Sequence, residues 1–286
     1  MAGSPSTAPS AMRTAELEIL VDGLDHPEGV CWDAGRRVLW AGGEGGQIYR
    51  VEPEIPQVML AGQAPGFVLG LGVDAVGRLA LCVSSDGSLC TFDGEDVRRV
   101  ATGLGFPNYP AFGPDGSVWL ADSGAWGRND GRVLRIGPDA DVTVFSTALP
   151  HFPNGCAVSE DGRWLWIVES YEPTLNRLDL VTGELDEIVR LPGTVPDGVA
   201  LTVDGGVLVS CYRPDRIVLV DANGNSDVVA EDPQGTLLAA PTNVCFMGER
   251  LDRLVSANLG RWHLTLVDAG LTGVPLHAPE RWAADA

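Results

Sequence analysis

Nowhere in this chain do about 18 apolar residues follow one another, so no segment reads as a membrane-spanning helix. The opening residues, Met1 to Met12, are small and polar and precede Arg13. They lack the apolar core of about 7–15 residues that a secretory signal needs. Residues 1–13 therefore read as a loose tail, and residues 14–286 as one domain of a soluble, cytoplasmic protein. Basic side chains are scarce: 19 Lys and Arg stand against 39 Asp and Glu, a net charge of −20. That surface repels a phosphate backbone and excludes nucleic acid as a partner. The six cysteines include no CxxC pair, which removes the usual zinc frameworks. No GxSxG elbow supports a serine nucleophile. The run Gly42-Gly43-Glu44-Gly45-Gly46 lacks a following Lys and helix, so it reads as a hairpin loop rather than a phosphate cradle. No long amphipathic helical pattern occurs either.

What the chain does have is repetition. Prolines 27, 65, 107, 153, 196 and 241 head six similar segments, spaced about 38 to 46 residues apart, the range of propeller blades. Each segment opens with an apolar strand and passes through a turn rich in Asp and Gly. A β-branched and aromatic strand follows, such as VLWAGG or RWLWIVES, and then an alternating strand such as RIVLVDA. The Asp115-Gly116, Asp161-Gly162 and Asp204-Gly205 pairs provide the positive φ that tight hairpins demand. With 45% hydrophobic and 20% charged residues the chain is globular. Six copies of three to four short strands predict an all-β fold, a six-bladed β-propeller. Its ring is expected to close by pairing Ala15–Val21 with the last blade.

Directly after the head proline, four copies carry an oxygen-bearing side chain: Glu28, Asn108, Asn154 and Asp197. By register, Leu69 and Thr242 fall at that place in the second and sixth copies. Equivalent positions on the innermost strands of a ring lie at one rim, so the four groups are predicted to converge on one mouth of the channel. A single Asn or Asp after proline is most simply a turn cap. Four in one register, two of them carboxylates, favour a site instead. Two carboxylates that close repel unless a cation lies between them. Hard oxygens without His or thiolate suit Ca²⁺ first, while Zn²⁺, Mn²⁺ and Mg²⁺ also accept them. His26 and His151 fall near the same rim and stand as alternative acid–base groups, or as ordinary loop residues. Cys31, Cys156 and Cys245 share a register on the inner strands and are read as packing.

The segments HPEGVCWD, PNGCAVSEDGRWLWIVES, PDGVALTVDGGVLVS and PTNVCF…LDRLVSANLG resemble the blade heads of the gluconolactonase, regucalcin (senescence marker protein) and luciferin-regenerating enzyme family. The resemblance spans roughly residues 15 to 280. It implies a six-bladed propeller with one divalent metal, often Ca²⁺, and in many members lactone hydrolysis. By motif match the metal ligands fall on Glu28, Asn154 and Asp197, and the Asn that touches substrate or a metal-bound water falls on Asn108. Two departures concern the sugar-binding wall: Tyr109 stands where sugar lactonases often have Asp, and Phe106 where regucalcin-like members have Arg. With Trp126 and Phe152, and with Tyr171 or Tyr212, these residues predict a more aromatic pocket.

The expected activity is therefore metal-assisted opening of an apolar or aromatic lactone or related ester. Asp197 is the expected general base, Glu28 and Asn154 hold the metal, and Asn108 orients the substrate. The alternatives are non-hydrolytic cyclisation, isomerisation or condensation on the same centre, and a small-molecule or metal carrier. The partner is a small molecule, with monomer and dimer both left open.

Overall fold

The computed structural model describes residues 15–283; the expected tail at residues 1–13 lies outside them. Twenty-four strands form six four-stranded antiparallel sheets, and among the described residues the helical content is one 3₁₀ turn, Ser84–Asp86. Among the described residues no helix is long and apolar enough to cross a membrane. The first strand, β1 (Glu16–Asp22), belongs to the last sheet. Blade one holds β2 (Val30–Asp33), β3 (Val38–Gly42), β4 (Gln47–Glu52) and β5 (Gln57–Gln63). Blade two holds β6 (Val68–Val73), β7 (Leu79–Val83), β8 (Ser88–Phe92) and β9 (Val97–Thr102). Blade three follows with β10 (Pro107–Phe112), β11 (Val118–Asp122), β12 (Arg132–Ile136) and β13 (Val142–Ser146). Blade four comprises β14 (Pro153–Val158), β15 (Trp164–Glu169), β16 (Thr174–Asp179) and β17 (Leu185–Arg190). Blade five comprises β18 (Val195–Leu201), β19 (Val207–Arg213), β20 (Arg216–Val220) and β21 (Ser226–Glu231). Blade six joins β22 (Pro241–Met247), β23 (Arg253–Asn258) and β24 (His263–Asp268) to β1, with Glu16 opposite Asp268 and Asp22 opposite His263.

Each blade begins at the axis and works outward, so β2, β6, β10, β14, β18 and β22 line the channel and each packs on the next. The burial follows from that order. The inner and second strands are apolar on both faces, whereas outer strands such as β5, β13 and β17 alternate with solvent. Six separate apolar cores lie between neighbouring blades; Leu39, Cys245 and Val255 share the one between blades one and six. The three Asp-Gly turns hold Gly116, Gly162 and Gly205 at φ of 83°, 73° and 78°, as the hairpin geometry requires.

Beyond β24 the chain turns back across the far face of the ring. Val274 N–H donates to Leu201 O at 3.1 Å, His277 Nε2 lies 2.9 Å from Ser159 O, and Ala75 N–H donates to Pro279 O at 3.2 Å. This strap ends on Trp282, fully buried edge-on to Phe112, with Nε1–H donating to Asp74 Oδ2 at 2.9 Å. It thus ties blades five, four, three and two together. Replacing Trp282 by Ala should cost about 3–5 kcal/mol, read as a lowered urea midpoint with an unchanged slope.

Candidate metal centre

The motif that sequence reading isolated is Pro followed by an oxygen group, and in three of the four copies Gly29, Gly155 or Gly198 comes next. The structure gives a reason for the glycine. Inner strands of adjacent blades approach so closely that a Cβ on Gly155 would lie 2.3 Å from Asp197 O, and one on Gly29 2.2 Å from Leu69 O. A β-bulge accompanies the motif: pairing with the second strand slips between Pro107 and Tyr109, Pro153 and Cys156, Pro196 and Val199, and Pro241 and Val244. Bulges re-aim side chains, and here they turn the residues after each proline toward the axis at one mouth.

Glu28, just before β2, and Asn108, Asn154 and Asp197, on β10, β14 and β18, are all buried. They are joined by a residue that strict register overlooked. Asn243, two places after Pro241, is fully buried and its Nδ2 donates to Glu28 Oε2 at 3.2 Å and to Glu28 O at 3.1 Å. The register residue Thr242 instead donates its hydroxyl to Glu28 O at 2.6 Å. A single extra amide thus reaches the site through the bulge of blade six.

The electrostatics are those of a site lacking positive charge. Burial, and then the charge of Asp197, pushes the Glu28 carboxyl well above the usual carboxylate range, against the hydrogen bond from Asn243. Burial likewise pushes Asp197 up, to about 7. Meanwhile Asn108 Oδ1, Asn154 Oδ1, Asp197 Oδ1 and Asn243 Oδ1 are buried without a hydrogen-bond partner. Each such oxygen is costly in a protein interior. A divalent cation would satisfy several at once and neutralise both carboxylates, and two carboxylates with amide oxygens are a hard donor set of the kind Ca²⁺ accepts. The residues present fit a metal. Among the described residues no three His, Cys, Asp or Glu side chains group together, so the donor set here is two carboxylates plus amide oxygens.

The asparagines are held from behind. Asn108 Nδ2 donates to Ser123 Oγ and Asn154 Nδ2 to Ser170 Oγ, each at 3.1 Å. These serines follow the second strand of their blades, in ADS and VES; sequence reading passed over them.

Beside the head prolines of blades three and four lies an aromatic cluster. Phe152 stands 5.7 Å from Phe106 and 5.1 Å from Trp126, and Trp126 lies 5.3 Å from Tyr171. Trp126 and Tyr171 are exposed, so this wall faces solvent at the top and apolar side chains below. Phe152 has φ of 66°, a strained position for a bulky residue, mirrored at His26 with 43° and Ala240 with 50°; all three precede a head proline. Glu169 helps hold the strained turn by accepting the His151 N–H at 2.6 Å.

Tyr109 is placed apart from that wall. It is buried in the core between blades three and four and leans on Gly70, where a Cβ would meet its ring at 2.3 Å. Tyr109 also borders an apolar cavity of about 190 Å³ that lies under the strap, together with Cys31, Cys156 and Cys245. The two histidines differ in their surroundings. His26 Nδ1 lies 3.0 Å from Asp25 Oδ1 and 3.5 Å from Glu44 Oε2, edge-on to Trp262. His151 Nδ1 is buried without a partner.

A six-bladed propeller that buries paired carboxylates at one mouth defines a fold and site class, and the comparisons narrow it. The model of the SMP-30/Gluconolactonase/LRE-like region matches residues 26–257, so the chain belongs to that family. Lactonase drp35 of Staphylococcus saprophyticus is 25% identical over 235 residues, covering 74% of this chain and 72% of that protein. Two solved structures share the fold. Regucalcin of Agrobacterium tumefaciens, described as a calcium-binding protein, is 16% identical with a TM-score of 0.78, covering 94% of this chain and 98% of its own. A gluconolactonase of Xanthomonas campestris is 21% identical with a TM-score of 0.76, covering 91% of both chains.

The pair of carboxylates makes stability depend on pH and on metal together. Both folded-state pKa values are raised, so the metal-free protein has its full stability in weak acid and loses it as pH rises through about 7. Metal-free protein should therefore melt at a lower temperature at pH 8 than at pH 5.5, with Asp197→Asn flattening the difference. Added Ca²⁺ should raise the melting temperature most at pH 8.

Proposed function

We propose that this chain is a divalent-metal-dependent lactone hydrolase that acts on substrates more apolar than sugar lactones. The observation that carries the reading is the convergence of Glu28, Asp197 and orphaned amide oxygens at a buried mouth, in a chain of the gluconolactonase-like family. The lactonase name of the Staphylococcus relative supports the reaction class.

Glu28, Asn154 and Asp197 would hold the ion, with Asn243 fixing Glu28 through its amide. When bound, the metal supplies Lewis-acid polarisation of the lactone carbonyl and offsets the charge that develops on its oxygen. Asp197 keeps Oδ1 free of hydrogen bonds and lies beside a second carboxylate, so it is placed to take a proton from the attacking water. The Asn108 amide presents an acceptor, Oδ1, rather than its NH₂, toward the channel. It therefore orients a proton-bearing partner, the water or a substrate hydroxyl. Phe106, Phe152 and Trp126 offer one apolar flank on which a hydrophobic ring substituent can lie, and they exclude bulk water from the carboxylates.

A panel of aliphatic, aromatic and sugar lactones, with EDTA and then metal add-back, tests this reading. EDTA-sensitive ring opening with a mass gain of one water supports it, with aromatic or aliphatic lactones preferred. An isomeric or condensed product would replace hydrolysis by non-hydrolytic chemistry on the same centre. Glu28→Gln should abolish metal binding measured by calorimetry, and Asp197→Asn should lower kcat by about 10²–10⁴-fold. The aromatic wall makes its own prediction: Trp126→Ala should lower kcat/KM for an aryl-substituted lactone by about 10-fold or more, and leave an unsubstituted small lactone nearly unchanged.

A further inference from the structure

A chain of hydroxyls runs around the metal mouth from blade to blade. Ser123 of blade three donates to Pro153 O of blade four at 2.6 Å. Ser170 of blade four donates to Pro196 O of blade five, again at 2.6 Å. Ser210 of blade five donates to Thr242 O of blade six, and Thr242 donates to Glu28 O of blade one at 2.6 Å. The arc covers the blades that carry oxygen side chains. It stops at blade two, where Leu69 stands in the ligand register.

The direction of these bonds has a chemical consequence. A serine hydroxyl has one proton, and here it is committed to the proline carbonyl of the next blade. What remains on Oγ is a lone pair, which can only accept. The amide behind it must therefore offer its NH₂, as Asn108 and Asn154 do at 3.1 Å. That forces Oδ1 of each asparagine to the opposite side, where both lie buried and without donors. Blade five is the natural control. Asp197 has no NH₂ to give, and there the serine lone pair accepts the Gly198 N–H instead, at 3.0 Å.

We propose that Ser123 and Ser170 are positioning residues that set the polarity of the metal mouth, locking Asn108 and Asn154 with oxygen inward and NH₂ outward. The inference rests on the metal reading of the site. An asparagine free to flip would turn hydrogen-bond donors toward the ion and oppose it. Ser210 stitches two blades in the same way but orients no amide, because a carboxylate presents oxygen whichever way it turns.

The test compares Ser123→Ala, Ser170→Ala and Ser210→Ala, using calorimetric titration of the metal-free proteins with Ca²⁺ and thermal melts in EDTA. All three lose an interblade bond and should melt lower. Only the first two should bind Ca²⁺ more weakly, by about 10- to 100-fold. In an Asn154→Ala background, Ser170→Ala should have no further effect on affinity. Equal affinity losses in all three variants, or the same loss from Ser170→Ala with and without Asn154, would overturn the orienting role and leave only stitching. A second readout does not need the metal: hydrogen exchange of the Asn154 side-chain NH₂, followed by NMR, should be slow in the parent protein and fast in Ser170→Ala. If the parent takes up no Ca²⁺, the metal reading fails, while the exchange rates still decide the orientation: unchanged exchange sinks it and faster exchange sustains it.

Discussion

Two carboxylates, Glu28 and Asp197, share one buried mouth, and that repulsion is the constraint to which the surrounding structure answers. Neither has a cationic side chain among its hydrogen-bond partners; Glu28 is met by the Asn243 amide, and Asp197 Oδ1 by nothing. A protein interior tolerates such a pair only when a positive charge resides there or one group stays protonated. Asn108 and Asn154 spend their donors on serine hydroxyls and leave Oδ1 buried and unpartnered, whereas Asn243 turns its NH₂ to Glu28. The orphaned oxygens raise the cost of the empty mouth, and a cation there would lower it.

The propeller makes this possible by bringing single side chains from distant parts of the chain to one rim without any of them needing a long reach. Close approach of the inner strands is the enabling geometry. It is paid for by the glycines at 29, 155 and 198, whose missing Cβ atoms let one backbone rest against the next. Blade three departs from this rule. There Tyr109 occupies the glycine position and takes the space left by Gly70 of blade two, so its ring fills the inner wall.

Much of the fold was legible because a ring poses the same local problem six times. Head prolines, Asp-Gly turns and alternating strands recur for the same physical reasons in each blade, and Glu28, Asn108, Asn154 and Asp197 stood out by register. What escaped were features set between blades. Asn243 lies one place out of register because the bulge after Pro241 exposes two consecutive residues to the axis. Tyr109 reads as a pocket aromatic next to Asn108, yet its surroundings depend on a glycine 39 positions earlier. Ser123 and Ser170 are unremarkable letters until their donors and acceptors are known. The aromatic wall was half legible: Phe106, Phe152 and Trp126 do cluster, and Tyr171 completes them.

Blade six joins strands far apart in sequence, and the same is true of the carboxylate mouth. Strand β1 pairs with β24, and Glu28 receives its hydrogen bonds from Thr242 and Asn243, more than two hundred residues later. During synthesis β1 and Glu28 would wait for the strands of blade six, which are made later. Five blades can stack as they emerge, but the growing chain holds an open arc with an unpaired edge. The carboxylate mouth is therefore completed only when blade six docks on blade one, so its geometry reports that the ring has closed.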